Sequence, residues 1–399
     1  MAIHNQAQLK VLQIHNHYLE KTGGEFNVAD MDKNILESLG HSVIRYIRDN
    51  IEILHYNRFQ RIVLFFRSFW SFKAKKDIRK ILFKEKPDIV HVHNFFPLIS
   101  PSIFWEVKKH NIPIVWTLHN YRLICAEGQF LKGSKSCDEC VSKPKIRAIW
   151  KKCYRNSSLA SMTIVLMNGL HKIIGTWNRK VDTFLVLTNF GRNIFLKYGI
   201  DKNKIVIKPN IIYPDPGPRT NADIKEYALF LGQHSIKKGV EILVSIWKDI
   251  DYELIMAGSG PLLSKLQKQA ERDHANIIFR GPVPHQEAQT LLKGANFLIL
   301  PSLHYEGFPL VVAEALALGV PVITSNSGPM QELVINDKNG LLVKPENEID
   351  LKNKLLWAIL NPNRMREMGL NSRELFEMKY SAKKNMDILL NVYNSALYR

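Results

Sequence analysis

Apolar residues fall in short runs along this chain, and the runs alternate with stretches in which apolar positions recur every three to four residues. KVLQIHNHY (10–18), HSVIRYI (41–47), DIVHVHN (88–94) and IPIVWTLHN (112–120) each read as a strand followed by a helix. Apolar strands separated by helices are the pattern of parallel sheets covered on both faces. After KIVIKPNII (204–212), the segment PDPGPRTNAD (214–223) brings together three prolines, a glycine and polar residues, and is expected to be a linker. A second series follows: YALFLGQ (227–233), YELIMAGSG (252–260), ANIIFRGPV (275–283), ANFLILPS (295–302), PVITS (321–325) and NGLLVKP (339–345), again with helical patterns between, and residues 348–399 read as helices. The expected fold class is α/β, with two Rossmann-like doubly wound parallel-sheet domains, 1–212 and 213–380. Such sheets bind ligands beyond the carboxyl ends of their strands, so the cleft between the domains is the expected site.

Charge changes the picture for the first half only. Residues 1–200 hold 31 Lys+Arg against 15 Asp+Glu, a balance of +16, while residues 201–399 hold 24 against 22, a balance of +2. An acidic partner is therefore expected for the N-terminal domain. Basic residues interleave with Phe and Trp over 59–86 and 143–155, as in amphipathic helices that lie on an anionic membrane surface. No recognisable RNA- or DNA-binding module accompanies them, so nucleic acid is not the expected partner. The start, MAIHNQAQLK, has no apolar signal region. The longest apolar stretch, 159–175, contains Asn168 and His171 and falls short of the roughly 20 residues of a spanning helix. A cytoplasmic protein, peripheral on the inner face of the plasma membrane, is the expectation.

Candidate chemistry concentrates in EGFPLVVAE (306–314). Two glutamates eight positions apart carry no information by spacing alone, but ANFLILPS ends just before them and Pro309 suits the first turn of a helix. The free backbone N–H groups around Phe308 to Val311 then form an anion site. Carboxylates beside a diphosphate would repel it unless they accept hydrogen bonds from hydroxyls, and a sugar nucleotide supplies both phosphates and hydroxyls. The competing reading is a solvent-facing Glu306 and a Glu314 bridged to a lysine. Lys238, in LGQHSIKKGV, is placed to neutralise a departing phosphate. Gly23-Gly24 follows the first strand and permits close backbone approach to a ligand, whereas the AGSGP turn (257–261) reads as structural. His119, at a strand end, is suited to accept, donate or steer protons near a sugar. HVHN (91–94) reads as supporting. All four cysteines, Cys125, Cys137, Cys140 and Cys153, lie in one stretch, and the CxxC with two flanking thiols suggests a structural zinc site or reduced buried thiols. Asp30-Met31-Asp32 imitates a metal-binding DxD but falls inside a predicted helix.

The Gly23-Gly24 loop, the His119-Asn120 strand end, the Lys238-Gly239 turn, the Gly258 to Gly260 turn, the Glu306 to Glu314 motif and the Gly328 to Glu332 segment follow one another over nearly the whole chain. Together they resemble the retaining glycosyltransferases of family 4, which have the GT-B fold. The resemblance implies a nucleoside diphosphate sugar donor (UDP or GDP), a saccharide or lipid-linked acceptor, and chemistry that requires no cofactor. It implies catalytic roles for His119, Lys238 and Glu306: His119 on the donor sugar, Lys238 on the diphosphate, and Glu306 near the reacting carbon. Glu314 would bind the ribose, and Gly23, Gly24, Gln233, Gly307, Phe308, Pro309 and Leu310 would complete the donor site. The last helix, about 381–399, would cross back to the N-terminal domain. The family usually has Gly-Arg where this chain has Gly232-Gln233, so either Lys237 or a basic group from the other domain substitutes for the missing cation, or donor affinity is reduced. The cysteine stretch, with HNYRLIC and KCYRNSSLAS, resembles a bacterial subgroup associated with capsule, exopolysaccharide or O-antigen assembly. A sugar-nucleotide epimerase of the same fold is the alternative.

Overall fold

A computed structural model of the chain describes residues 8–18, 24–133 and 135–398. The chain divides into two compact units: residues up to Gly128, Glu139–Ile211 and Asn385 onward form the first, and Gln129–Asp138 with Ile212–Lys384 form the second.

In the first unit, strands β1 (Lys10–His17), β2 (Ser42–Asp49), β3 (Ile89–Asn94), β4 (Ile114–Leu118), β5 (Thr183–Val186) and β6 (Ile205–Ile207) form one parallel sheet in the order β2-β1-β3-β4-β5-β6. The order reverses between β1 and β3, and at such a switch point adjacent connections leave on opposite faces and open a crevice at the carboxyl ends. Helix α1 (Gly24–Ser38) returns from β1 to β2 and buries Val28, Ala29, Ile35 and Leu36. The Asp30-Met31-Asp32 triplet is split by this helix: Asp30 pairs with Arg45 at 2.5 Å, and Asp32 forms a fully buried pair with Lys208 at 2.9 Å.

The basic run over 59–86 makes two helices, α2 (Arg58–Phe69) and α3 (Phe72–Glu85). Ser71 separates them, because its hydroxyl accepts from Ala74 N and so caps a new start. The second basic run, 143–155, does not form an amphipathic helix. It contains one turn, Arg147–Trp150, and the left-handed backbone at Lys152 (φ 50°) and Arg155 (φ 51°) prevents continuation. The apolar stretch 159–175 is helix α4 (Ser158–Ile173), which buries Ile164, Met167, Asn168 and His171 on one face. Among the described residues, no helix is long and apolar enough to cross a membrane.

The second unit repeats the architecture. Strands β7 (Tyr227–Leu231), β8 (Glu253–Ala257), β9 (Ile277–Gly281), β10 (Phe297–Leu300), β11 (Val322–Ser325) and β12 (Gly340–Val343) are parallel in the order β9-β8-β7-β10-β11-β12. Its switch point lies between β7 and β10. Helices α5 (Val240–Trp247) and α6 (Leu310–Leu318) follow those two strands. The final helix, α7 (Ala382–Leu397), packs on the first unit: the buried Tyr393 hydroxyl lies 2.7 Å from His91 Nδ1, and Asn385 donates to the carbonyl of Pro209.

Residues 129–138, which the pattern assigned to the N-terminal domain, belong to the second unit. They form a small hairpin, Leu131–Lys132 against Lys135–Ser136. The buried Phe130 ring sits 5.9 Å from Tyr305, and Ser136 Oγ donates to the carbonyl of Leu303 at 2.6 Å.

Candidate active site

In the second unit, the loops leaving β7 and β10 meet at the switch point. Glycine is required for that meeting at position 239, where φ is +68° and a Cβ would stand 2.1 Å from the carbonyl oxygen of Pro301. This approach lets Leu303 N and His304 Nδ1 reach the carbonyl of Lys237, at 2.8 and 3.0 Å. It also brings Lys238 Nζ to 2.5 Å from Glu306 Oε1, across 68 residues of sequence. Ser302 Oγ donates to the same oxygen at 2.8 Å, and His304 Nε2 lies 3.3 Å from Oε2. Burial alone would push the Glu306 carboxyl upward. The charges of His304 and Lys238, with the hydrogen bonds they make, outweigh burial and hold it well below the usual carboxylate range. Glu306 is thus a buried, ionised acceptor with Oε1 engaged twice and Oε2 once.

Helix α6 starts immediately beyond. Pro309 is its N-cap residue, one position earlier than its expected place in the first turn, and proline supplies no side-chain cap for the free N–H groups. Val312, Ala313, Ala315, Leu316, Ala317 and Leu318 are all buried, so this helix is sheathed on nearly every side. Glu314 sits in their midst, and desolvation pushes its carboxyl up to about 7. Among the described residues no lysine bridges it; the largely exposed His285 is a neighbour, its Nδ1 3.9 Å away. Glu306 and Glu314 are therefore set in opposite senses by one loop–helix segment.

Of the other expected donor residues, Gln233, Gly307, Phe308, Pro309 and Leu310 fall around the same switch point. Gln233 lies two residues beyond β7, and Gly307 and Leu310 flank the start of α6. The Phe308 side chain is not free to receive a ligand, because it is buried with its ring 5.4 Å from Tyr380, which leaves its backbone as the usable group. The turn at Gly258 to Gly260 packs closely on backbone: a Cβ at Gly258 would stand 2.0 Å from the carbonyl oxygen of Gly232.

In the first unit, histidines gather where β1, β3 and β4 end. Strand periodicity puts His15 and His17 on one face of β1, and His91 and His93 on one face of β3. His119 follows β4, its Nε2 3.0 Å from His93 Nδ1. Burial, the largest influence, lowers His119 to about 4 against the opposing charge of Glu25. Glu25, in the first turn of α1, lies 3.4 Å from His15 Nε2. Gly24 opens that helix, and Gly23 lies outside the described residues. Beside His119, Arg122 donates to the Tyr18 hydroxyl at 2.7 Å and stacks over the Tyr18, Phe96 and Tyr154 rings. His91 is committed elsewhere, to Tyr393 and Thr117.

Among the described residues, no three His, Cys, Asp or Glu side chains form a group that could hold a metal ion. Cys125 is buried, its N–H turned back to the carbonyl of Tyr121, and the Cys137 N–H donates to the carbonyl of Phe130. The sequence reading missed Ser302 and His304, which lie in an irregular loop without periodicity. It also missed Gln13, Glu25 and Arg122, although the alternating histidines of HNH and HVH were a legible sign of a shared strand face.

A model of glycosyl transferases group 1 matches residues 217–375, and a model of glycosyltransferase family 4 matches residues 35–215. An uncharacterized glycosyltransferase of Methanocaldococcus jannaschii is 30% identical over 347 residues, 82% of this chain and 81% of that protein. The O-antigen chain mannosyltransferase C of Escherichia coli is 26% identical over 177 residues, 43% of this chain and 47% of its own length. Among solved structures, sucrose-phosphate synthase of Thermosynechococcus elongatus shares the fold with a TM-score of 0.73 at 18% identity, over 97% of this chain and 99% of that one. Anabaena HepE, solved with UDP-glucose, does so with a TM-score of 0.67 at 14% identity, over 97% and 100%. With a family model on each side of its linker and a relative aligned along most of its length, the chain belongs to glycosyltransferase family 4, on the GT-B fold.

Proposed function

We propose that this enzyme transfers a glycosyl group from a UDP- or GDP-sugar to a hydroxyl of a saccharide or lipid-linked acceptor, with retention at the anomeric carbon, in bacterial capsule, exopolysaccharide or O-antigen assembly. The observation that carries the reading is the Lys238–Glu306 pair at the switch point of the second sheet, beside the uncapped start of α6. Breaking the glycosidic bond to a diphosphate leaves negative charge on the departing phosphate and positive charge on the sugar. Lys238 and the α6 amides meet the first charge; Glu306 lies beside the second. Glu306 already accepts from Ser302 and Lys238 on one oxygen, which suits a residue that binds a sugar hydroxyl with its remaining lone pair better than a nucleophile. Same-face attack by the acceptor is therefore the favoured course. The O-antigen mannosyltransferase supports the polysaccharide assignment, and HepE with UDP-glucose supports the donor class. The test is a screen of UDP- and GDP-sugars for hydrolysis and for transfer to lipid-linked saccharides. Transfer with retained anomeric configuration supports the reading; interconversion of the sugar nucleotide without an acceptor would make the chain an epimerase instead.

Glu314 gives the donor site a pH dependence. Its raised value means that the folded chain holds a proton the unfolded chain has lost, so its stabilising contribution is full at low pH and disappears as pH rises toward about 7. Ribose hydroxyls donate to a carboxylate, so the bound state favours the ionised form and releases that proton. Affinity for an intact sugar nucleotide is expected to rise up to about tenfold per pH unit below pH 7 and to level off above it. Calorimetry in buffers of different ionisation enthalpy measures the released proton, and Glu314→Gln should abolish both the release and the slope.

The proposed membrane surface is the first unit's α2 and α3, where Phe59 (72% exposed), Phe66 (65%) and Phe72 (77%) stand among arginines and lysines. Vesicles rich in phosphatidylglycerol should pull down the wild type at low salt, and Phe59→Ser with Phe66→Ser should weaken capture by about tenfold or more. Equal capture of both proteins would remove this face from the proposal.

A further inference from the structure

His119 is joined to a chain of hydrogen bonds whose direction can be read from donor chemistry alone. Arg45 Nε, which can only donate, lies 2.9 Å from Gln13 Oε1. Gln13 Nε2 lies 2.9 Å from the carbonyl oxygen of Ala29, which can only accept. Turning the amide over would set donor against donor at Arg45 and acceptor against acceptor at Ala29, so its orientation is fixed. The second hydrogen of Gln13 Nε2 points along the 3.2 Å contact to His93 Nε2, which must accept it. A neutral His93 then carries its proton on Nδ1 and donates it to His119 Nε2 at 3.0 Å. His119 in turn accepts at Nε2, and its proton resides on Nδ1.

We infer that Arg45, Gln13 and His93 form a relay that fixes His119 as a neutral imidazole protonated on Nδ1, so that it meets the donor sugar as a hydrogen-bond donor and not as a base. The inference rests on reading His119 as a sugar contact; Gln13 and His93 are positioning residues. Burial keeps both rings neutral, strongly so for His93. The charged and titratable groups around His119 are Glu25 from α1, His15 from β1, His91 and His93 from β3, Arg122 three residues on and Lys208 beyond β6. Glu25 favours an imidazolium and the others oppose it, so the relay should hold at and above neutral pH. In this form His119 can grip a hydroxyl of the donor sugar without removing its proton.

The test uses the full chain with 15N-labelled histidine and long-range proton–nitrogen correlation, the His119 signals being assigned by their loss in His119→Asn. The expected result at pH 7.5 is a protonated Nδ1 and an unprotonated Nε2. A proton on Nε2, or on both nitrogens, overturns the relay. Gln13→Glu replaces the donor facing His93 with an acceptor and should move the His93 proton to Nε2 and the His119 proton to Nε2. An unchanged His119 in a folded Gln13→Glu protein also overturns it. Kinetics test the role separately. His119→Asn retains an N–H close to the place of Nδ1 and should keep at least about tenfold more kcat than His119→Ala, with similar KM for the donor. Equal loss in both variants refutes the donor role. An absence of turnover with every sugar nucleotide refutes the proposed function but leaves the spectrum to decide the relay.

Discussion

Lys238→Met and Glu306→Gln are each expected to lower kcat/KM for the sugar nucleotide by about 10²–10³-fold while leaving a folded protein. Lys238 is the cation that the leaving diphosphate meets, and methionine keeps most of its stem packing while removing the charge. Glu306→Gln preserves size and the contact to Ser302 but leaves Lys238 and His304 facing each other without the anion that separates them. A structural ion pair at this depth would lose about 3–5 kcal/mol of stability on removal of one partner, with turnover untouched in whatever protein remained folded. A catalytic pair shows the reverse balance: a modest fall in Tm and a large fall in kcat. Because the two residues act as a unit, the double variant should be scarcely slower than the worse single one. Near-normal turnover in both single variants would remove these residues from the chemistry, and the opposite-face alternative would lose its nucleophile at the same time.

The sequence made both sheets legible because parallel strands buried on two faces are short apolar runs, and β3 and β10 have no other plausible reading. Glu306, Glu314 and Lys238 were legible for a related reason: each follows a strand end, where ligands of doubly wound sheets bind. Their partners were not. Ser302 and His304 sit in a loop held by contacts distant in sequence, among them the approach of Gly239 to Pro301 and the hydrogen bond from Leu303 N to Lys237, and no periodicity announces such contacts. The Gln13–His93–His119 relay joins residues 80 and 26 positions apart on β1, on β3 and just beyond β4, so it appears only once strand order is known. Charge patterning misled at 143–155, since lysine and arginine were counted without weighing the left-handed residues that stop a helix.

Gly239→Ala should be among the most damaging single methyl groups in the second unit. At φ +68° the left-handed backbone costs a non-glycine residue about 1 kcal/mol. The larger penalty is steric. The new Cβ would stand 2.1 Å from the carbonyl oxygen of Pro301, a backbone atom at the end of the central strand β10. No rotamer relieves that overlap, so the turn has to retreat by about 1 Å or more, and the retreat breaks the hydrogen bond from Leu303 N to Lys237 and draws Lys238 from Glu306. A total loss of about 3–5 kcal/mol is expected, seen as a fall in Tm of roughly 6–15 °C. In the protein that remains folded, kcat should fall about 10²-fold, the usual consequence of misplacing a reacting group by that distance. Gly217→Ala is the matched control: its φ is +72°, but nothing lies within 4 Å of its Cβ position. That variant should lose only about 1 kcal/mol and keep its turnover. If Gly239→Ala behaves like Gly217→Ala in both Tm and kcat, the closeness of the Lys238 turn to β10 does not assemble the site.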